Sequence, residues 1–521
     1  MVWSTGPAGA LEIVIFRMVQ SAGGAMLMAN SAAILTDAFP HNQRGFALGI
    51  NGVALLAGSF IGLILGGVLA AVHWRLVFAV NVPFGVAATV WAFLQLREMG
   101  KRYPAHIDWL GNLTFALGLA SILIGVTYGI KPYGSSSMGW ASPFVISMIV
   151  AGVALFALFL FVETRVKEPM FTLRLFRIRA FAAGNLAVVL SSIANGGMQF
   201  LLIMWLQGIW LPLHGYSFEQ TPLWAGIYML PLTFGYLCAG PLSGFLSDRY
   251  GARPFATSGM GVAALSLVLL MALPANFAYW QFGAVIFLNG VGFGLFASPN
   301  TAAIMNSVPV RNRGVASATR ATCQMLGQPL STGIFFSLMI AGLAATVPSA
   351  MLSGLTAHQV PTAVATQLSQ LPPTGYLFAA LLGSNPLQQL LGPQVLSALP
   401  AGQASTLVSK QFFPSLIGGP FKDGIVYVLI FAAVMCGVAA IASWLRGGKF
   451  IHHEAVFAHG HTPGQHHAGQ AAAPHAEAPL VGAALEAESL VDAMLVDPAL
   501  ADAEPDAAPP DHAPLETEPA G

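Results

Sequence analysis

Very few side chains in this sequence can carry charge, and their spacing narrows what they could do. Asp248, Arg249 and Arg253 lie in the run Gly244-Phe245-Leu246-Ser247-Asp248-Arg249-Tyr250-Gly251-Ala252-Arg253, between apolar stretches at 224–246 and 254–273. Each stretch is long enough to cross a bilayer, since about 20 helical residues span the hydrocarbon. A charge near mid-span costs roughly 2.5–3.5 kcal/mol, so these three ions belong at an interface where water and head groups solvate them. Gly244 and Gly251 lack a Cβ and allow a tight reversal between closely approaching helices. On spacing alone the run also reads as an ordinary basic loop. A second candidate is Arg17, in Phe16-Arg17-Met18-Val19-Gln20-Ser21-Ala22-Gly23-Gly24-Ala25. Arg17 and Gln20 share a helix face at i and i+3, with Gly23 and Gly24 a turn further on. A guanidinium there faces a protein interior or water, or else snorkels to the interface.

The elements that position these residues follow from composition. The chain has 521 residues, of which 56% are hydrophobic and only 8% charged, with a mean hydropathy of +0.70. A soluble domain carries about a quarter charged residues, so this is an all-α, polytopic helical membrane protein. The net charge of zero conceals a division. All 21 Lys and Arg precede Phe450, against nine acids, while twelve acids and no bases follow it. Cys238, Cys323 and Cys436 sit in apolar runs and read as small packing residues. No Lys or Arg precedes Arg17, so no secretory signal is read.

Eleven spans are expected, near 10–37, 45–72, 76–96, 109–130, 142–162, 181–210, 223–246, 254–273, 281–307, 314–343 and 424–445. Every second loop is basic, which places those loops in the cytoplasm, the N-terminus outside and the C-terminus inside. A shift of 269 residues carries Gly23 onto Gly292, Pro40 onto Pro309, Arg44 onto Arg313 and Gly45 onto Gly314. Both copies are span, Pro…Arg-Gly turn, span, in the same direction, as in transporters built from parallel repeats. Residues 344–423 form a long loop expected outside, with short apolar pieces at 376–382 and 387–391. From His452 the chain holds eight of the thirteen histidines among Ala, Pro, Asp and Glu, and is expected to be disordered. Such a tract is a solvated linker or a weak metal binder.

Asn195, Gln199 and Gln207 recur at spacings near four and eight in the sixth span, and Asn185 lies earlier in it. They line a cavity or bridge helices. Trp205, Tyr228 and Tyr236 either stack on a ligand or anchor at the interface. Arg320 reads as an interface charge. The sequence has no G-x-x-x-x-G-K-[ST] phosphate loop and no His/Glu metal pair within a span. No enzyme, cofactor or nucleic-acid partner is expected.

The spacing G-x-L-x-D-R-x-G-x-R at residues 244–253 resembles the loop motif of the major facilitator superfamily. R-x-x-Q-x-x-G-G-A at Arg17 resembles the fourth-helix motif of its drug/proton antiporters, where the Arg is implicated in proton coupling. Gly58-Ser59-Phe60-Ile61-Gly62-Leu63-Ile64-Leu65-Gly66-Gly67 resembles the fifth-helix antiporter motif G-x-x-x-G-P-x-x-G-G, with Leu63 in place of Pro. His73-Trp74-Arg75 through Pro83-Phe84-Gly85 resembles the following connection in the fourteen-span branch. The resemblance covers residues 10–445. It implies a two-bundle fold lacking the first three helices of the pattern, with the gene starting about 80–100 residues upstream. Residues 1–107 are then the remainder of the N-terminal bundle, and 108–168 two inserted linker helices. Residues 169–343 form the C-terminal bundle, 344–423 the extracytoplasmic loop, 424–449 the last transmembrane helix and 450–521 the cytoplasmic tail.

The implied activity is proton-coupled export of small amphipathic compounds such as drugs, by alternating access in the inner (plasma) membrane. Its partners are the substrate, protons and the bilayer, and the resemblance also allows a periplasmic adaptor and an outer-membrane channel. The spans hold almost no buried acid, because Glu12, Asp37, Asp108 and Glu163 all fall near span ends. Export by this chain alone is therefore expected to be impaired. The alternatives are a non-transporting membrane sensor with a metal-binding His-rich tail, and a facilitator for uptake.

Overall fold

A computed structural model describes residues 6–447 apart from 41, 74, 96–107, 135, 137, 167, 168, 218, 219 and 382–384. The His-rich tail lies outside the described residues. Among those described, regular structure is helical, without strands. The chain opens with α1 (Gly6–Ala38), α2 (Arg44–Val72) and the short α3 (Leu76–Ala79), which leads into α4 (Asn81–Gln95). The hairpin α5 (Trp109–Gly129) and α6 (Pro143–Glu163) follows. Next, α7 (Arg179–Trp205) passes through a π-turn, Leu206–Trp210, into α8 (Leu211–Leu213). After α9 (Thr221–Tyr228) come α10 (Leu230–Tyr250), α11 (Ala252–Ala272), α12 (Tyr279–Asn306) and α13 (Arg313–Ala357). Four short helices, α14 (Thr362–Ser369), α15 (Pro373–Leu381), α16 (Leu387–Ala398) and α17 (Ala401–Val408), precede α18 (Phe412–Leu445).

Ten helical runs are long and apolar enough to cross a membrane among the described residues. The 29-residue α2 occupies the remaining expected span, packed along α10. Two boundaries differ from expectation. α13 continues for 45 residues to Ala357 instead of ending near 343, and α18 begins at Phe412 instead of 424. The reason is tertiary. Val347, Met351 and Leu355, at i, i+4 and i+8, are buried in the same core as Phe413, Ile417 and Phe421. That shared burial holds α13 helical through Pro348, where one backbone hydrogen bond is lost. The short pieces expected at 376–382 and 387–391 are α15 and α16.

The main core lies in the helices from α7 onward. Its tightest seam is α10 against α12, where backbone meets backbone. A Cβ on Gly235 would collide with the Phe287 carbonyl, and one on Gly290 with the Leu232 carbonyl. In contrast, α1 is exposed along residues 14–27 and α4 has no buried residue. Phe93 is 85% exposed, which suits contact with lipid or with other apolar helices.

The seam makes a direct prediction. Gly290→Ala should destabilise the protein by about 1–3 kcal/mol in thermal unfolding, although Ala is the better helix former. Gly261→Ala, with nothing within 4 Å of its added methyl, should not.

Candidate functional site

The charged turn is built by the end of α10. Gly251 takes φ +93, a conformation that favours glycine, and its N–H bonds back to the Ser247 carbonyl. This reversal leaves Asp248, on the last turn of α10, facing the start of α2. The Asp248 carboxylate accepts hydrogen bonds from the backbone N–H of Gly45 at 2.9 and 3.0 Å and of Phe46 at 3.2 Å. The first N–H groups of a helix have no intrahelical acceptor, and Gln43, at the N-cap of α2, supplies no side-chain bond. A carboxylate 203 residues away in sequence therefore caps α2 and meets the positive end of its dipole.

That contact requires bare backbone on both sides. A Cβ on Gly45 would stand 2.5 Å from the Gly244 carbonyl oxygen, and one on Gly244 would strike Gly45. One and two turns along, Gly49 faces the Gly240 carbonyl and Gly52 the Tyr236 hydroxyl, at 2.8 and 2.9 Å from an added Cβ. Ser298 of α12 donates to the Gly45 carbonyl. Thus α2, α10 and α12 converge at one basic end of the bundle.

Two further links join the same end. Arg313 of α13 pairs with Asp37 of α1 at 2.8 Å, and Arg44 of α2 donates to Asn306 of α12 at 3.1 Å. The 269-residue shift that carries Arg44 onto Arg313 also carries Asp37 onto Asn306. The links are therefore reciprocal, each repeat's arginine reaching the other repeat's acid or amide. Sequence reasoning missed Asp37, Asn306 and Gly49 as contact residues. The repeated Pro…Arg-Gly turn was the available signal. Beside them, Arg253 lies over the Trp444 ring at 4.1 Å and Arg249 over Tyr250 at 5.6 Å. Arg446, just beyond α18, is buried and donates to Asn300; desolvation lowers its guanidinium to about 10, so it stays cationic at neutral pH.

The other predicted residues are not gathered here. Arg17 donates to Gln20 at 3.1 Å and lies over the Phe78 ring at 5.1 Å. It shares the exposed part of α1 with Gly23 and Gly24, which have nothing within 4 Å. Gly58, Gly62 and Gly66 likewise approach nothing within 4 Å, and Gly67 continues the α2 backbone. The glycines that bring α2 close to a neighbour are instead those of its first turns.

Asn195 and Gln199 bond each other at 3.4 Å on α7. Trp205 is a correction: at 1% exposed, with its ring edge-on to Phe277 at 5.1 Å, it fills the core and lines no open space. The Tyr228 hydroxyl bonds that of Tyr216 at 2.8 Å within an aromatic cluster. A cavity of about 670 Å³ does exist, between α5, α13 and α15, but Val126, Lys131 and Phe336 line it rather than these residues. Arg320, two turns into α13, is half-buried and lies near Tyr236 and Cys323.

The family model of the Major Facilitator Superfamily matches residues 1–110 and 107–332. The chain belongs to the Major Facilitator Superfamily. Among its relatives, the multidrug transporter protein MdtP of Bacillus subtilis is 25% identical over 80% of this chain and 74% of its own length. The tetracenomycin C resistance and export protein of Streptomyces glaucescens is 29% identical over 63% of this chain and 59% of its own. A multidrug resistance protein B homolog of Mycobacterium tuberculosis is 28% identical over 63% and 59% respectively. The chain thus spans about 59 to 74% of the length of these relatives.

Asp248→Ala should cost about 1–2 kcal/mol in denaturation, as loss of a charged cap does. The Asp37–Arg313 pair, with Asp37 at 40% exposure, should show a double-mutant coupling of only about 0.2–1 kcal/mol, weakened by salt.

Proposed function

We propose that this protein is a secondary transporter that exports small amphipathic compounds, drugs among them, in exchange for protons by alternating access. The observation that carries this reading is the capping of α2 by Asp248, 203 residues away on α10. A bond between helix ends exists only while those ends are together, so it stabilises one of two states and is released in the other. The names of the relatives support export, since they include two multidrug proteins and one for tetracenomycin C resistance and export. In this reading the basic end faces the cytoplasm of a cell with this protein in its plasma membrane, with the N-terminus outside.

The division at residues 107, 168, 343 and 423 belongs to the same proposal, with 108–168 as linker helices. So does the fourteen-span antiporter branch. Arg17 would serve in proton coupling, its guanidinium and Gln20 facing a water-filled path. Asn195 and Gln199 would contribute polar contacts to the substrate. The alternative sensor reading rests on a histidine tract that lies outside the described residues.

The test is ethidium movement in everted membrane vesicles expressing the protein, under an imposed proton gradient. Uptake that collapses with an uncoupler, and falls about tenfold in Asp248→Ala (~1.4 kcal/mol off the favoured state), is expected. Ethidium movement indifferent to the uncoupler would make the protein a facilitator and defeat the antiport reading.

A further inference from the structure

At the other side of the chain's chemistry lies a pair of acids that the transport reading does not use. Asp108 and Glu163 are 8% and 4% exposed, at the open ends of the α5–α6 hairpin, away from the loop that joins the two helices. Asp108 caps α5, accepting from the Gly111 N–H through Oδ1 at 2.8 Å. Glu163 accepts from the Phe171 N–H through Oε2 at 3.2 Å. Each acid thus uses one oxygen. The remaining two, Asp108 Oδ2 and Glu163 Oε1, are buried and have no hydrogen-bond partner among the described residues.

These two orphan oxygens border the same point. Glu163 Oε1 lies 3.1 Å from where a Cβ on Gly111 would stand, and Asp108 Oδ2 lies closer still, so they are no more than about 5 Å apart. Only a residue without a side chain leaves that space open. A buried acceptor without a donor is costly, and two ionised carboxylates facing one space repel each other. One proton removes both difficulties. The helix dipoles divide the roles, since Asp108 stands at the N-terminus of α5, which favours its charge, and Glu163 at the C-terminus of α6, which opposes it. A metal ion fits less well. Mg²⁺ and Ca²⁺ take six or more oxygens, and no group of three or more His, Cys, Asp or Glu side chains occurs among the described residues.

We propose that Asp108 and Glu163 form a proton-binding site, one proton being held between Asp108 Oδ2 and Glu163 Oε1. Bound, it makes a carboxylic acid on Glu163 that donates to the Asp108 carboxylate; released to water, it leaves two carboxylates. The site goes beyond the export reading, because it sits on the α5–α6 hairpin and apart from the α2–α10 contact. It also reaches the strap that leads to α7. Glu163 holds the backbone of Phe171, whose ring packs 5.8 Å from both Phe115 and Phe159.

The other charged groups nearby are the arginines of that strap. Arg165 lies over the Phe161 ring at 5.0 Å, and Arg174 and Arg177 follow in a 3-10 turn. Among the described residues none of them bonds either acid; His106 lies outside those described. α13 approaches α5 at Val126, near the opposite end of that helix, through Gly333.

Infrared spectroscopy of the full chain tests the site without a variant. At about pH 7 ordinary carboxyls, with pKa near 4, are ionised, so a carbonyl band of a protonated carboxylic acid is expected from the pair. Its absence would overturn the proposal, as would its persistence in Glu163→Gln. Thermal unfolding between about pH 5 and about pH 9 gives a second readout. The wild type should lose stability as pH rises and the shared proton leaves. Glu163→Gln, whose amide donates to Asp108 at every pH, should not, so a gap in midpoint should open with pH. A gap that stays constant, or a wild-type midpoint raised by Mg²⁺ or Ca²⁺ and lowered by a chelator, would overturn it.

Discussion

One carboxylate seated on the bare N-terminus of another helix organises this molecule. Asp248 supplies to α2 the acceptor that Gln43 does not. A helix N-terminus carries unpaired donors and a partial positive charge, so a carboxylate is a favoured partner. Because donor and acceptor lie 203 residues apart, local helix chemistry becomes a contact between distant parts of the chain. Its strength is about 1–2 kcal/mol for such caps. It is enough to favour one arrangement and too little to forbid the other.

The neighbouring residues serve that contact. Gly45 and Gly244 allow two backbones to touch, and Gly251 turns α10 back so that Asp248 is presented. The reciprocal links, Arg313 to Asp37 and Arg44 to Asn306, flank it with little energy but fixed register. In an apolar surrounding, a handful of polar atoms at one end does the work that a charged surface shares out in a soluble protein. The arrangement also explains why the chemistry-bearing residues gather at helix ends. Mid-span, a charge needs a protein cavity or water around it.

Much of the architecture was legible in the residue pattern. Apolar runs of spanning length marked the helices, and the spacing around Asp248 marked the turn. The partner of Asp248 was not legible, since nothing local in Gly45 or Phe46 points to an acid 203 residues away. The repeat brought Arg44 and Arg313 into view but not their acceptors. The ends of α13 and α18 escaped because burial of Val347, Met351 and Phe413, not local preference, decides where those helices stop. Trp205 escaped for a related reason. An aromatic in a span looks alike whether it lines a cavity or fills a core, and only Phe277 beside it tells the two apart.

The most direct test of the central contact is a distance, measured by pulsed electron paramagnetic resonance in nanodiscs. Spin labels at Gln43→Cys and Tyr250→Cys, in a background without Cys238, Cys323 and Cys436, report the gap between the start of α2 and the end of α10. Gln43 and Tyr250 are both exposed, so the labels leave the contact intact. With Asp248 present, a short-distance population should dominate. Asp248→Ala should shift weight to a longer distance by releasing the cap. An unchanged distribution in Asp248→Ala would contradict the account, because the carboxylate would then be holding nothing together.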